Sequence, residues 1–335
     1  MNADSTEVLR GDMCMNSVER VRRTFRFEKP DRIPMVFFNK DKEQGDIVMI
    51  DIQDHYGGDD GLVSEWGFRW ERLDKTMGQP VDSLIHDWEA DFGRLQKPKL
   101  NREKREAWVN AQIQKTQKNQ YLLGSLQLSG FTVMSFLRGF VPMMEDFYLE
   151  PEYMEQLADL VFGFETELIE FAAEMGLHGI AFFDDWGTQS DLLISPELWH
   201  QFFRPRYEKQ FQRAHQLGLD VYFHSCGKID RIIGAFFDAG VDMLNISQPN
   251  LYDMDQLKKQ YGGKGCFVIP VSYQTTSITG TREDIFADVK CAVESLGCYG
   301  GGLIGYIEEY SSMGMSRENY QSCIDAFREY GNYTE

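Results

Sequence analysis

The sequence predicts an α/β fold in which eight parallel strands, each followed by a helix, close into a (β/α)8 barrel. Two observations indicate this fold. Short apolar runs alternate with amphipathic helical segments from about residue 120 onward, a pattern typical of βαβ units and a parallel sheet. The chain has 335 residues, a length that one elaborated barrel commonly reaches. We therefore expect one barrel domain over residues 1–335, with residues 41–118 forming an elaborated cap within it.

Seven short runs are apolar and bounded by Gly, Pro, Asp or Asn, as expected for strands that are buried on both faces. They are Ile33–Phe38, Tyr121–Leu126, Gly179–Phe183, Leu219–Phe223, Asp242–Ile246, Cys266–Val271 and Gly302–Ile307. A closed barrel needs one more strand, which we expect in the first third of the chain. An open doubly wound sheet is the alternative, but no Gly-rich dinucleotide loop follows the first run.

Four longer segments space their apolar residues three and four apart, which is typical of amphipathic helices. They are Pro151–Gly176, Pro196–Gly218, Asp230–Gly240 and Thr281–Gly297. The first begins at a proline, whose fixed φ suits a first helical turn. Each ends on a glycine, which commonly follows a helix C-terminus. Residues 41–118 are instead polar and rich in Trp and Asp, which indicates a cap and not a linker.

The charge of the chain argues against several classes of partner. Asp and Glu number 53 against 34 Lys and Arg, so the formal net charge is −19. Such a chain repels nucleic-acid phosphates and anionic membrane surfaces. No run approaches the roughly 20 apolar residues of a membrane helix, and the polar first residues are typical of neither a signal peptide nor a transit peptide. We expect a cytoplasmic protein with no nucleic-acid or membrane partner, in which the six cysteines are free thiols, buried fillers or metal ligands.

In a barrel of this kind the functional side chains gather where the carboxyl ends of the strands meet. Polar residues follow every predicted strand. They are Asn39 and Lys40, Gln127, Asp184, Asp185 and Trp186, His224, Ser225 and Cys226, Ser247 and Gln248, Ser272 and Tyr273, and Glu308 and Glu309. Among these we expect Asn39, Gln127, Trp186 and Gln248 to bind substrate, with His86 contributed by the cap.

His224 and Cys226 form the sharpest motif. Two residues apart at a strand end, they share one side of the strand, and imidazole nitrogen and thiolate sulfur are zinc ligands. A third ligand must come from elsewhere in the chain, and Glu308 and Glu309 both lie at the same mouth of the barrel. Cys298 is the remaining option, although it precedes its strand and so lies at the opposite mouth. The competing interpretation of the motif is a buried histidine bonded to a carbonyl beside a packing cysteine.

Asp184 and Asp185 form the second feature. Paired carboxylates at a strand end can share a proton or orient a metal-bound histidine. We therefore predict catalytic roles for both, and for Tyr273, whose hydroxyl can hold a substrate oxygen. The competing interpretation, which has equal weight, is that this D-D-W-G-T stretch caps the next helix.

Several motifs resemble the uroporphyrinogen decarboxylase superfamily. They are V-E-R-V-R-R-T-F-R-F-E-K-P-D-R-I-P (Val18–Pro34), D-D-W-G-T-Q-S-D-L-L-I-S-P-E-L-W (Asp184–Trp199), F-H-S-C-G-K-I (Phe223–Ile229) and G-G-L-I (Gly301–Ile304). The resemblance extends over nearly the whole chain from residue 18 on. It implies a distorted (β/α)8 barrel, in agreement with the predicted strands.

The superfamily has two chemistries. Uroporphyrinogen decarboxylases carry an Arg-rich stretch after the first strand for the carboxylates of the porphyrinogen, whereas this chain reads F-F-N-K-D-K-E at Phe37–Glu43. The other branch contains zinc methyltransferases with an H-x-C motif and a later Cys. His224 and Cys226 match that motif, and Glu309 stands where the later Cys would fall. The resemblance therefore implies Glu309 as the third zinc ligand.

Two further stretches, S-E-W-G-F-R-W (Ser64–Trp70) and T-M-G-Q-P (Thr76–Pro80), look most like the O-demethylase methyltransferases, which act on methyl ethers. The resemblance thus implies zinc-dependent transfer of a methyl group between a small methylated substrate, with a methyl ether favoured, and a corrinoid (cobalamin). No D-x-H-x-x-G corrinoid-binding sequence is present, so the corrinoid is expected on a separate partner protein.

Two alternatives remain open at this point. One is a decarboxylase of a small carboxylate or porphyrinogen-like substrate, with Asp184 and Tyr273 as acid–base groups. The other is a non-catalytic barrel that binds a tetrapyrrole or a corrinoid protein. The sequence also leaves the oligomeric state open, with a homodimer among the options.

Overall fold

Eight parallel strands close into a barrel in this computed structural model, which describes residues 15–54, 63–71 and 78–333. The strands are β1 Met35–Phe37, β2 Ile47–Asp51, β3 Tyr121–Ser125, β4 Gly179–Phe183, β5 Asp220–Ser225, β6 Met243–Ile246, β7 Phe267–Pro270 and β8 Leu303–Ile307. Each strand pairs with the next along the chain, and β8 pairs with β1 to close the ring. The predicted fold class is confirmed.

All seven predicted strands are present, and β2 is the expected eighth. It lies inside the stretch that we predicted as a cap, so that prediction is corrected at this point. The apolar part of β2 is only four residues long and lies between Asp46 and Asp51. The two aspartates made the whole segment look polar in the sequence, so no strand was predicted there. Residues 55–62 and 72–77 of the predicted cap, and residues 1–14 and 334–335 of the predicted domain, lie outside the described residues.

Helices follow the strands and surround the barrel. They are α1 Ser17–Arg26, α2 Trp88–Asp91, α3 Arg102–Ile113, α4 Gly130–Arg138, α5 Phe140–Leu149, α6 Pro151–Glu174, α7 Pro196–Leu198, α8 Arg204–Gln216, α9 Ile233–Ala239, α10 Met254–Tyr261, α11 Thr276–Thr279, α12 Arg282–Ala292 and α13 Arg317–Tyr330. The four predicted helices are found here. The second of them is divided, because a π-helical turn at Trp199–Phe203 separates α7 from α8.

Side chains of the strands alternate between two cores. In β4, Ala181 and Phe183 point into the barrel, where they pack with other inward side chains, while Ile180 and Phe182 point outward and pack under the helices. This alternation follows from the two-residue repeat of a strand. It continues past the strand ends and decides which polar residues face the barrel mouth.

The opposite end of the barrel is closed by α1. Asp46, which is 1% exposed, accepts hydrogen bonds from Arg20 at 2.7 Å, Arg32 at 2.7 Å and the Met35 amide at 2.9 Å. A buried carboxylate that is paired and hydrogen-bonded in this way fixes the helix and β1 relative to each other. This end of the barrel is therefore structural.

Within the described ranges, none of the helices combines the length and apolar character that crossing a bilayer requires.

Candidate functional site

The two-residue alternation selects the side chains that face the barrel mouth. Phe183 points into the barrel, so Asp185, two residues further, continues on the inner side. Tyr222 also points inward, and His224 and Cys226 continue its series past the end of β5. Three potential ligands from two neighbouring strands therefore meet at one place.

Among the residues that the structure describes, one group of side chains could hold a metal ion. It consists of Asp185, His224 and Cys226. One ligand atom from each lies within 4.8 Å of the other two. Cys226 Sγ is 3.5 Å from His224 Nε2, and His224 Nε2 is 3.6 Å from Asp185 Oδ1. In a tetrahedral site with zinc bonds of ~2.0–2.3 Å, ligand atoms lie about 3.3–3.6 Å apart. Two of the three separations therefore match tetrahedral zinc, and the third, between the Asp185 and Cys226 donor atoms, is within 4.8 Å.

Asn245 at the end of β6 fixes the orientation of the His224 ring. Asn245 Nδ2 donates to the Val268 carbonyl at 2.6 Å, which leaves Asn245 Oδ1 to accept from His224 Nδ1 at 2.5 Å. With the proton held at Nδ1, Nε2 presents its lone pair to the mouth. Metal-bound histidines are commonly oriented by such a partner on the other ring nitrogen.

The charges around His224 act in opposite directions. Burial lowers the pKa of the imidazole, but its interactions with Cys226 and Asp185 and the hydrogen bond to Asn245 raise it, with a net pKa of about 9. The site therefore favours positive charge at this position, whether a proton or a metal ion supplies it.

Cys226 is held by the loops on either side of it. The Ser247 hydroxyl donates to Cys226 Sγ at 3.2 Å, and the Cys226 amide donates to Asp185 Oδ1 at 2.8 Å. The following Gly227 has φ +76°, and a Cβ there would lie 2.1 Å from the carbonyl carbon of Gly187. Only glycine permits this close approach of the two loops, and the approach sets Asp185 beside Cys226.

Gln248 supports the same loop from below. Its Oε1 accepts a hydrogen bond from the Gly227 amide at 2.6 Å, and the side chain is 6% exposed. Its amide oxygen thus holds the backbone next to Cys226, and substrate binding by Gln248 stays a prediction.

Asp184 faces away from the mouth. Its side chain is fully buried, and its oxygens accept from the Phe131 amide at 2.9 Å, the Thr132 amide at 2.8 Å, the Thr132 hydroxyl at 2.7 Å and the Tyr207 hydroxyl. Burial raises the pKa of Asp184 well above its ordinary range, against those hydrogen bonds. The carboxyl caps the N-terminus of α4. The competing interpretation, a helix cap, therefore applies to Asp184. The capped helix, however, precedes Asp184 in the chain, whereas the sequence analysis expected the next one.

Trp186 also lies outside the barrel interior. It is fully buried, and its ring centroid is 4.5 Å from that of Phe131 and 4.6 Å from that of Phe203. A side chain closed off from the mouth in this way cannot touch a substrate there, so the predicted substrate contact is corrected to a packing role between the barrel and α4.

The Glu309 carboxylate does not lie in one group with His224 and Cys226. It follows Ile307, which packs outward, and its carboxylate accepts from the Ser311 hydroxyl at 2.8 Å. The structure groups Asp185 with the two predicted ligands instead, and we correct the third ligand accordingly. Glu308 is on the inner series with Tyr306 and accepts from the hydroxyls of Tyr306 at 2.9 Å and Tyr310 at 2.8 Å. The alternation of each strand, extended by two residues, would have separated Glu308 from Glu309.

The remaining predicted residues have different surroundings. Asn39 is bound to the backbone of Glu309, with its Oδ1 accepting from the Glu309 amide at 3.1 Å. Gln127 lies at the end of β3 with φ +59° and hydrogen-bonds Asp51. His86 stands on a loop before α2, where its side chain is 65% exposed and lies 3.5 Å from Asp82. Cys298 is exposed and lies before β8, at the opposite mouth.

Tyr273 interacts with Cys226, one of the candidate metal ligands. Burial raises its pKa to about 12, together with the nearby charge of Cys226. Its ring packs against that of Tyr310 at a centroid distance of 4.8 Å. At neutral pH this hydroxyl keeps its proton, so it can donate a hydrogen bond but cannot serve as a base.

Comparison with known proteins adds a family match and a structural likeness. Residues 76–307 match the family model described as "Uroporphyrinogen decarboxylase (URO-D)". No curated protein matches the sequence significantly.

Among solved structures, a methyltransferase from Methanosarcina mazei is similar with a TM-score of 0.74 and 17% sequence identity, covering 94% of this chain and 99% of that one. At this identity the likeness shows the fold. An endo-β-1,4-xylanase from Gloeophyllum trabeum and a D-psicose 3-epimerase from Clostridium cellulolyticum H10 each reach a TM-score of 0.41, with 10% and 9% identity. They cover 69% and 68% of this chain and 82% and 81% of their own.

Proposed function

Because the chain belongs to the uroporphyrinogen decarboxylase family, we propose that it acts as a zinc-dependent methyltransferase within that family. It would move a methyl group between a small methylated substrate, with a methyl ether favoured, and a corrinoid on a separate protein. The observation that carries this proposal is the group of Asp185, His224 and Cys226 at the barrel mouth. The similar fold of a methyltransferase supports it.

The donor set favours zinc over other ions. One thiolate, one imidazole and one carboxylate suit zinc better than magnesium or calcium, which prefer oxygen ligands. Three protein ligands leave a fourth position for a substrate, as catalytic zinc sites do. The charges of Asp185 and Cys226 would balance those of a divalent ion before substrate enters. Bound there, zinc would supply Lewis-acid activation of the substrate heteroatom.

Residues of the chain have distinct tasks in the proposed transfer. The carbon–oxygen bond of the methyl ether breaks with its electron pair going to oxygen, and cob(I)alamin supplies the electron pair of the new cobalt–carbon bond. Asn245 keeps His224 Nε2 aimed at the mouth, and Ser247 donates to the Cys226 sulfur. Tyr273 would donate a hydrogen bond to the departing oxygen, whose negative charge grows during the transfer.

The decarboxylase alternative has less support. It needs Asp184 as an acid–base group, but both oxygens of that carboxyl already accept hydrogen bonds from α4 and Tyr207 in a fully buried position. A metal-free decarboxylase would also leave the group of Asp185, His224 and Cys226 without a function. Release of carbon dioxide without any corrinoid would nevertheless identify that activity in the assay below.

The test is methyl transfer to free cob(I)alamin by the zinc-loaded protein, screened over aryl methyl ethers, methylamines and methylated thiols. We expect formation of methylcobalamin, seen as loss of the cob(I)alamin absorbance, with at least one methyl ether. Cys226→Ser should lower the rate by about a hundredfold or more, on the order of 3 kcal/mol of barrier. Cys291→Ser is the matched control, because Cys291 is exposed on α12. Equal rates for both variants would contradict the proposal.

A further inference from the structure

A second cavity lies where β1 begins and α13 ends, at the end of the barrel opposite the candidate metal site. We call it the arginine cavity. Its volume is about 270 Å³, and its polar lining consists of Arg32, Gln44, Arg328 and Asn332. None of its lining residues in the described chain is acidic, although Asp and Glu outnumber Lys and Arg by 53 to 34 in the whole sequence. A cavity with this composition attracts anions.

Arg328 brings a cation without an acidic partner into the arginine cavity. Its Nη2 donates to Gln44 Oε1 at 3.0 Å, and its guanidinium forms no ion pair with the residues that the structure describes. Its charge acts on Asp325, but Asp325 already pairs with Arg282 at 3.0 Å. A guanidinium group has five N–H donors. Most of the donors of Arg328 therefore remain available to a ligand.

Arg32 adds a second guanidinium group, part of which is already in use. Its Nη1 and Nη2 donate to the Asp46 carboxylate at 2.7 and 3.0 Å. Asp46 also pairs with Arg20, and Arg20 pairs with Asp31, so two arginines balance two aspartates in this group. Arg32 Nε accepts no partner from the described ranges and can donate to a ligand. The uncompensated positive charge of the cavity is therefore that of Arg328.

The C-terminal end of α13 is the one feature here that disfavours an anion, because the last carbonyls of a helix carry about half a negative charge. Two of these carbonyls are already hydrogen-bonded. That of Phe327 accepts from the Gly331 amide at 2.9 Å, and that of Arg328 accepts from Asn332 Nδ2 at 3.2 Å. The full positive charge on the Arg328 side chain outweighs the partial charge of the helix end.

Apolar side chains complete the lining of the arginine cavity, and they are Ile33, Met35 and Phe327. The volume is slightly below the roughly 300–1,000 Å³ of sites that bind drug-sized ligands, so the cavity suits a smaller molecule. Planar guanidinium groups match the oxygens of a carboxylate or a phosphate. The lining as a whole therefore fits an oxyanion that is carried on a short hydrocarbon chain.

We propose that the arginine cavity is a second ligand site, which binds the carboxylate or phosphate group of a small organic anion through Arg328 and Arg32. The hydrocarbon part of this ligand lies against Met35 and Phe327. The cavity shares no lining residue with the candidate metal site. The inference therefore does not depend on the proposed function.

The test measures binding of four probes to the full chain by titration calorimetry, at one ionic strength set with sodium chloride: butyrate, butyl phosphate, inorganic phosphate and 1-butanol. We expect butyrate or butyl phosphate to bind about tenfold or more tightly than 1-butanol, which is the gain that one charge-assisted hydrogen bond supplies. The tighter of the two identifies the oxyanion that the cavity prefers. Inorganic phosphate should bind more weakly than butyl phosphate, because it makes no apolar contact.

Arg328→Gln removes the uncompensated charge and should weaken binding of the preferred organic anion about tenfold or more. Arg328→Lys keeps the charge but loses the planar fork, so its affinity should lie between those of Arg328→Gln and the unmodified protein. Arg317→Gln is the matched control, because Arg317 is an exposed arginine at the first position of the same helix. Circular dichroism should show that all three variants are folded.

Two outcomes would overturn the proposed site. One is that neither butyrate nor butyl phosphate binds more tightly than 1-butanol. The other is that Arg328→Gln and Arg317→Gln bind the organic anion with equal affinity, which would place the anion outside the arginine cavity. Equal affinities for inorganic phosphate and butyl phosphate would contradict the part of the proposal that assigns the hydrocarbon chain to the apolar lining.

Discussion

At the scale of single residues, the direction of a side chain decides its chemistry. Asp184 and Asp185 are adjacent and chemically identical, yet one holds a helix while the other stands 3.6 Å from His224. Glu308 and Glu309 differ in the same way, because Glu308 faces the barrel interior and Glu309 faces outward. Composition and spacing identified both pairs in the sequence, and the alternation of the preceding strand determines which member faces the mouth.

Replacement of Asn245 should weaken metal binding without touching a ligand. In Asn245→Leu the His224 ring loses the partner that holds its Nδ1 proton, and changes of this kind typically cost about 10- to 100-fold in metal affinity. Competition with a chromophoric chelator measures the effect. Asn250→Ala, an exposed asparagine that follows the same strand, should retain the affinity of the unmodified protein. Equal affinities in the two variants would argue against this role of Asn245.

At the scale of elements, α4 depends on a carboxyl from another strand. Gly130 at its first position has φ +45°, and a Cβ there would lie 2.5 Å from Asp184 Oδ2. The helix therefore begins with its amides directed at a buried acceptor that follows β4. The same contact ties the end of β4 to α4.

Asp184→Ala should destabilise the fold while leaving the metal ligands in place. The change removes the acceptor of four hydrogen bonds at a fully buried position, so we expect a loss of about 2–4 kcal/mol in unfolding free energy. Urea denaturation measures this loss. Asp238→Ala, an exposed position on α9, should change the free energy by less than ~0.5 kcal/mol. A variant that is stable but inactive would instead support the catalytic role predicted from the sequence.

The strand and helix prediction succeeded where the pattern was strong and local. Buried parallel strands such as β4 are apolar and free of charge, and long amphipathic helices such as α6 repeat their pattern over several turns. Strand β2 was missed because its apolar run is short and flanked by aspartates. The π-helical turn between α7 and α8 was also missed, because a single wide turn shifts the apolar spacing by only about one residue within a long amphipathic segment.

At the scale of the whole molecule, the candidate metal site depends on the pairing of two strands that are far apart in the sequence. His224 was predicted as a ligand because Cys226 is close in sequence, whereas Asp185 is 39 residues away and becomes a neighbour through the pairing of β4 with β5, with Phe183 opposite His224. Long-range contacts of this kind are set by strand register. That is why the sequence alone led to Glu309 and the structure leads to Asp185.

Glu165 should make the stability of the whole fold depend on pH. It is fully buried on α6, and burial raises its pKa from 4.5 to about 7. A carboxyl with a raised pKa contributes stability that is complete below 4.5 and is lost as the pH rises through about 7, with a total change of about 3 kcal/mol. Glu165→Gln should remove this slope from unfolding free energies measured across that range. The same slope in both proteins would contradict the assignment.

The zinc content of the purified protein, measured by mass spectrometry of the metal, tests the central claim most directly. The account predicts about one zinc per chain, strong loss of zinc in Asp185→Ala, His224→Ala and Cys226→Ala, and retention in Glu309→Ala. Each variant should still show the circular dichroism of the folded barrel. A folded protein that binds no zinc when zinc is supplied, or full zinc content in Cys226→Ala, would contradict it.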